Sequence, residues 1–126
     1  MTACGLDFGT SNTTLGLIQA GIPRLAPLEG EADTLPSAIF FSRTGTPLFG
    51  RAAMAAYVEG EQGRLMRALK SVLGSSLVDE TTPVGRLRLG FREVIGTFIG
   101  EVKARGEQEA GGPLTQVVLG RPVHFV

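Results

Sequence analysis

Apolar positions alternate along the first part of the chain, take up a helical period in the middle, and close on a short apolar run. Residues 4–8 and 14–18 are apolar stretches flanking the polar tetrapeptide Gly9-Thr10-Ser11-Asn12, the pattern of two strands joined by a tight turn. A third strand is predicted over 22–28. Pro23 and Pro27 suit it to a sheet edge, because proline offers no N–H to a ladder. Residues 29–34 read as a charged loop, 35–41 as an extended apolar run, 42–46 as a turn and 47–50 as a brief return strand.

The helical period begins at residue 51. Residues 51–59 are rich in Ala and Met and predict a short helix closed by Gly60. Residues 61–73 place Leu65, Leu69, Val72 and Leu73 on one helical face, with Gly74 where a C-cap glycine belongs. Thr81-Thr82-Pro83 reads as a loop and 84–89 as a strand. Phe91, Val94, Ile95, Phe98, Ile99 and Val102 recur at helical spacing, so an amphipathic helix is predicted over 91–102, with Gly96 and Gly100 allowing close packing on a sheet. Residues 108–113 break it, and 115–119 read as a compact buried strand. Strands, then helices, then a strand predict a mixed α/β layer architecture.

Composition narrows the partners. A chain of 126 residues is one domain at most, and 43% hydrophobic residues give it a modest core and exclude disorder. Its 18 Gly and 7 Pro predict several turns and short elements. Twelve basic and twelve acidic residues cancel, and no basic block appears, so nucleic acid is not an expected partner. Cys4 is alone, which excludes an internal disulfide and reads as a small thiol within the first strand. Residues 1–20 carry no Lys or Arg, and no apolar run reaches membrane-spanning length; the expected location is cytoplasmic, with no membrane contact.

The candidate chemistry lies in the first turn. Gly9 lets backbone N–H groups approach a ligand, and successive N–H groups in a tight turn form an anion-binding concavity. Thr10 and Ser11 add hydroxyl donors, Asn12 adds an amide, and Asp7 can hold a hydrated Mg²⁺ against phosphates. The plainer reading of the same residues is a polar hairpin turn with a capping Asp. His124 has no second ligand near it in the sequence and reads as structural or solvent-facing.

DFGTSN over 7–12 resembles the first phosphate motif of the actin-like ATPase superfamily, which includes sugar kinases, actin-like proteins and DnaK-type heat-shock chaperones. Further segments resemble the DnaK-type family in order and rough spacing: TLPSAIFF over 34–41, FGRAA over 49–53, RALKSVLG over 67–74 and VVLGRPVHF over 117–125, the last leaning toward the YegD-like branch. The resemblance implies an RNase H-like, actin-type ATPase lobe with a mixed sheet and helices, incomplete at its C-terminal end. Residues 1–126 would be the amino-terminal portion of the nucleotide-binding domain, and about 40–110 would include a smaller inserted subdomain. Strands 3–8, 14–19 and 22–28 would form an antiparallel meander, with 115–119 parallel beside the first.

The same resemblance implies the chemistry. Gly9, Thr10, Ser11 and Asn12 would hold the β- and γ-phosphates of ATP or ADP, and Asp7 would sit near Mg²⁺ through water. Lys70, one of only two lysines beside ten arginines, would orient the γ-phosphate or the attacking water. Asp7 and Lys70 are thus the implied catalytic residues, and the plainer reading of Lys70 is a solvated helix-end cation. Asn12 departs from the aromatic residue frequent in true DnaK proteins, and Pro122 corresponds either to a nucleotide-sensing proline or to a strand end. The implied function is the ATP-binding portion of a chaperone ATPase. Its partners would be the rest of the ATPase domain, clients and co-chaperones. The 126 residues alone would be inactive and self-associating. A sugar kinase of the same superfamily, or an actin-like protein that uses nucleotide to control assembly, stays open as an alternative.

Overall fold

The computed structural model describes residues 3–119; Pro122 and His124 lie outside them. Strands β1 (Ala3–Phe8) and β2 (Asn12–Gln19) pair antiparallel, with Leu6 opposite Leu15 and Phe8 opposite Thr13. Thr13, Leu15 and Leu17 are buried while Asn12 and Ile18 are exposed, which is the period-2 alternation of a sheet with one covered face. Ala20 and Gly21 both take positive φ (52° and 76°), the tight primed-type turn that suits strand twist, and β3 (Ile22–Leu25) follows. The third strand is shorter than the predicted 22–28, because beyond Leu25 the chain bends inward and Ala26 and Leu28 are fully buried.

The apolar run at 35–41 divides. β4 (Leu35–Pro36) pairs with the start of β2, and β5 (Ile39–Ser42) belongs to a second sheet with β6 (Pro47–Phe49) and β7 (Gly63–Met66), in the order β6-β5-β7. Helix α1 (Gly50–Val58) lays Ala53 and Ala56 on this sheet against Ala38 and Phe40. Gly60 closes it at φ 79°, as its position predicts.

Residues 61–73 are not the predicted helix. Gly63 to Met66 form β7, and only α2 (Lys70–Leu73) is helical, a single turn followed by a 3-10 turn (Ser76–Asp79). Pairing with β5 overrides the local period: a Cβ on Gly63 would stand 2.2 Å from the Phe41 carbonyl oxygen, so glycine here lets the strand close on its neighbour. Gly74 follows that turn at φ −92°, outside the left-handed region the C-cap reading invokes. The strand predicted over 84–89 is instead a hairpin, β8 (Thr81–Val84) and β9 (Leu87–Gly90), turning at Gly85 with φ 59°. Thr81-Thr82-Pro83 is therefore strand and not loop.

Helix α3 (Phe91–Ala110) extends into the predicted breaker and ends within it at Gly111, which caps it in the left-handed region at φ 78°. Val94, Ile95, Phe98 and Val102 are buried in one core with Leu6, Leu15 and Leu17. The close approach to the sheet falls at Gly106, where a Cβ would lie 2.1 Å from Leu15 Cδ2; Gly96 and Gly100 have nothing within 4 Å of that position.

The return strand β10 (Gln116–Leu119) runs parallel beside β1, giving the order β10-β1-β2-β3 with β4 also on β2. This is the meander and parallel neighbour that the family resemblance implies. The strand itself is exposed, not buried: Val118 is 70% accessible. Val118, Ile18 and Leu25 line a shallow apolar groove of about 500 Å³ across the paired glycines Gly5 and Gly16.

The return is held by a side chain. The Leu114 N–H donates to Glu107 Oε2 at 2.8 Å, and this bond, helped by the Lys103 ammonium at 3.3 Å, holds the Glu107 carboxyl below the usual carboxylate range against the opposing effect of burial. A carboxylate whose pKa is lower in the folded than in the unfolded protein stabilises the fold above its unfolded pKa. That contribution disappears as pH falls through the folded value. Glu107→Gln is expected to show a flatter loss of stability than the parent between about pH 6 and pH 3, followed by urea midpoints. Parallel curves would remove Glu107 from the acid response.

Candidate functional site

The turn after β1 is closed by its own backbone. Gly9 N–H donates to the Asn12 carbonyl at 3.0 Å, and a Cβ on Gly9 would lie 2.4 Å from that oxygen, so only glycine permits this closure. Thr10, Ser11 and Asn12 are exposed at its tip. Asp7 is exposed one strand residue earlier, opposite Thr14, with Leu6 and Phe8 turned to the other face. Asp7 and Gly9 to Asn12 thus form one contiguous polar tip on a strand that is flanked on both sides.

Sequence reading missed the residue that holds this tip. Ser37, in the link between β4 and β5, is 2% exposed and bonds the turn twice: its Oγ donates to the Gly9 carbonyl at 2.8 Å and its N–H to the Ser11 carbonyl at 2.9 Å. Thr13 Oγ1, fully buried, lies 2.9 Å from Ser37 Oγ. The available signal was a serine after Pro36 inside TLPSAIFF, but its partners lie 24 and 28 residues away. The link is itself pinned, since Gly50 N–H donates to the Ala38 carbonyl at 3.0 Å and Arg51 bonds Glu29 and the Thr34 carbonyl.

Lys70 stands on a separate element. It is half-buried and opens α2, a helix of a single turn; the preceding Leu69 is 1% exposed within the core that contains Leu6 and Leu15. The fold thus ties the base of α2 to the strands that carry the turn. Among the described residues no three His, Cys, Asp or Glu side chains are grouped to hold a metal ion. A single carboxylate such as Asp7 suits a hydrated Mg²⁺ that takes its other ligands from water and phosphates. The groove on the sheet and a smaller cleft beside Arg105 and Glu109 both lie away from the turn. Cys4 is half-buried, and burial pushes its thiol pKa up, which makes it a poor nucleophile. No helix among the described residues is long and apolar enough to cross a membrane.

A mixed sheet with few helices, carrying a closed glycine turn on its central hairpin, is compatible with the ATPase lobe of a heat-shock chaperone. No family model matches the chain. It is 29% identical over 140 aligned residues to a chaperone protein HscA homolog of Aromatoleum aromaticum, covering 98% of this chain and 22% of that protein. A chaperone protein HscA homolog of Laribacter hongkongensis is 29% identical over the same shares of the two chains. The likeness to these relatives supports a DnaK-type heat-shock chaperone family for the chain. It spans 22% of their length.

Proposed function

We propose that this chain is the first phosphate-binding portion of a chaperone ATPase, built on an actin-type, RNase H-like lobe. The second sheet, α1, α2 and the β8–β9 hairpin would form the smaller subdomain within about 40–110. One observation carries the reading: a glycine turn whose carbonyls are tied inward and whose tip offers polar groups, beside the exposed carboxylate of Asp7. Thr10, Ser11 and Asn12 would bind the β- and γ-phosphates of ATP or ADP through N–H groups, hydroxyls and amide, with Gly9, whose own N–H closes the turn on the Asn12 carbonyl, allowing the close approach. Asp7 would hold the water shell of Mg²⁺, which when bound neutralises phosphate charge. Lys70, brought in from α2, would act as a compact cation toward the γ-phosphate or its attacking water. Clients and co-chaperones would be partners of the full-length protein.

The test is nucleotide binding and turnover by the full-length protein. ATP binding by calorimetry and slow, Mg²⁺-dependent hydrolysis that sugars do not stimulate are expected. Phosphorylation of a sugar would move the protein to the kinase branch, and nucleotide-dependent sedimentation into filaments would move it to the assembly branch. Absence of ATP binding would overturn the reading altogether.

A further inference from the structure

Ser37 makes three hydrogen bonds around a single residue, and their directions can be worked out from proton counting. A serine hydroxyl has one proton. The Gly9 carbonyl can only accept, so the Ser37 proton goes to it, and Thr13 must be the donor across the 2.9 Å contact to Ser37 Oγ. The result is a directed chain, from the Thr13 hydroxyl to the Ser37 hydroxyl to the Gly9 carbonyl, in which each bond polarises the next. Both side chains are buried, so water does not compete for them.

In a planar trans peptide the C=O and the following N–H point in opposite directions, and the described residues contain no cis peptide. Ser37 holds the carbonyl of Gly9 with its hydroxyl and that of Ser11 with its N–H. The N–H groups of Thr10 and Asn12, across those same two peptides, are therefore turned away from Ser37. Thr10 and Asn12 are exposed, and the Thr10 N–H makes no hydrogen bond among the described residues. Ser37 is also fixed from behind, through Pro36 paired with Asn12 and the Ala38 carbonyl bonded to Gly50.

We infer that Ser37 is a positioning residue for anion binding: it orients the turn's N–H groups toward a phosphate without touching that phosphate. The inference rests on the proposed phosphate site and adds to it a buried switch of orientation 28 residues along the chain from Gly9. Removing the hydroxyl frees the Gly9–Thr10 peptide to rotate, and the Thr10 N–H then loses its fixed direction.

The experiment compares ATP with adenosine on the full-length protein, by competition against a fluorescent nucleotide. A phosphate-positioning role affects only the phosphate-bearing ligand. Ser37→Ala is expected to weaken ATP about tenfold and leave adenosine within about twofold. Thr13→Val keeps the Ser37–Gly9 bond but removes its supporting donor, and is expected to weaken ATP about threefold, again sparing adenosine. Should Ser37→Ala fail to fold, Thr13→Val decides the matter. Equal losses for both ligands, or an unchanged ratio between them, would overturn the positioning role and leave the phosphate site standing. A parent protein that binds no ATP would overturn both.

Discussion

Asp7→Asn is expected to lower Mg²⁺-dependent ATP turnover by the full-length protein about a hundredfold while changing ATP affinity only a few-fold. Asparagine keeps the size and shape of the side chain, and Asp7 is exposed, so the fold has no reason to respond. What is lost is one negative charge beside the turn. On the proposed reading that charge would anchor the hydrated cation, which would matter most as charge shifts on the transferring phosphoryl group. Ground-state binding would rest more on the turn's N–H groups, which the substitution leaves in place. Steady-state turnover and calorimetry on one preparation separate the two quantities, and Lys70→Ala provides the parallel case for the proposed cation on α2. Near-parental rates in both variants would remove these residues from the mechanism.

The largest stability effect is expected at Phe98. This side chain is fully buried on α3, with its ring 5.8 Å from Phe8 on β1 and 6.4 Å from Phe49 on β6. It therefore joins the first sheet, the second sheet and the helix in one contact. Phe98→Ala removes the shared wall of all three and leaves a cavity whose lining belongs to different elements, so it cannot collapse easily. A loss of about 3–5 kcal/mol follows for a large buried aromatic truncated to alanine. Against a total of roughly 5–15 kcal/mol for an ordinary domain, that is enough to unfold a sizeable fraction. Urea unfolding measures it, with Thr97→Ala on the exposed side of the helix as the comparison. A loss under about 1 kcal/mol at Phe98 would mean that the sheets are joined elsewhere.

The parts of the fold legible in the sequence were those made by neighbours in the chain. The β1–turn–β2 hairpin was one, because alternation around Gly9 to Asn12 is a local signal, and α1 ending at Gly60 was another. Residues 61–73 misled because Leu65, Leu69 and Val72 satisfy a helical period, whereas pairing with Phe40 and Phe41 more than 20 residues earlier decides the outcome. Gly85 carried a turn signal inside 84–89 that alternation masked. The apolar run ending at Leu119 looked buried because composition reports what could be covered and not what is. The site divides in the same way. Asp7 and Gly9 to Asn12 are contiguous and could be read directly, while Ser37 acts across the chain and carries no local mark of its partners.

The two sides of the proposed site differ in how firmly they are built. β1 is bonded along both edges, to β2 and to β10, and its inward side chains lie on the core. α2 is a four-residue turn with no buried residue of its own, resting on Leu69 before it. Opening α2, a single turn seated on the core through Leu69 and Val72, therefore costs less than opening β1, which requires dismantling the sheet. In hydrogen-exchange terms, the amides of β1 should exchange only with global unfolding and those of Lys70 to Leu73 by a far cheaper local opening. A phosphate held at the turn would thus meet one jaw that is already set and another whose order is completed by the ligand, so protection gained on nucleotide binding should concentrate at Lys70 and its neighbours.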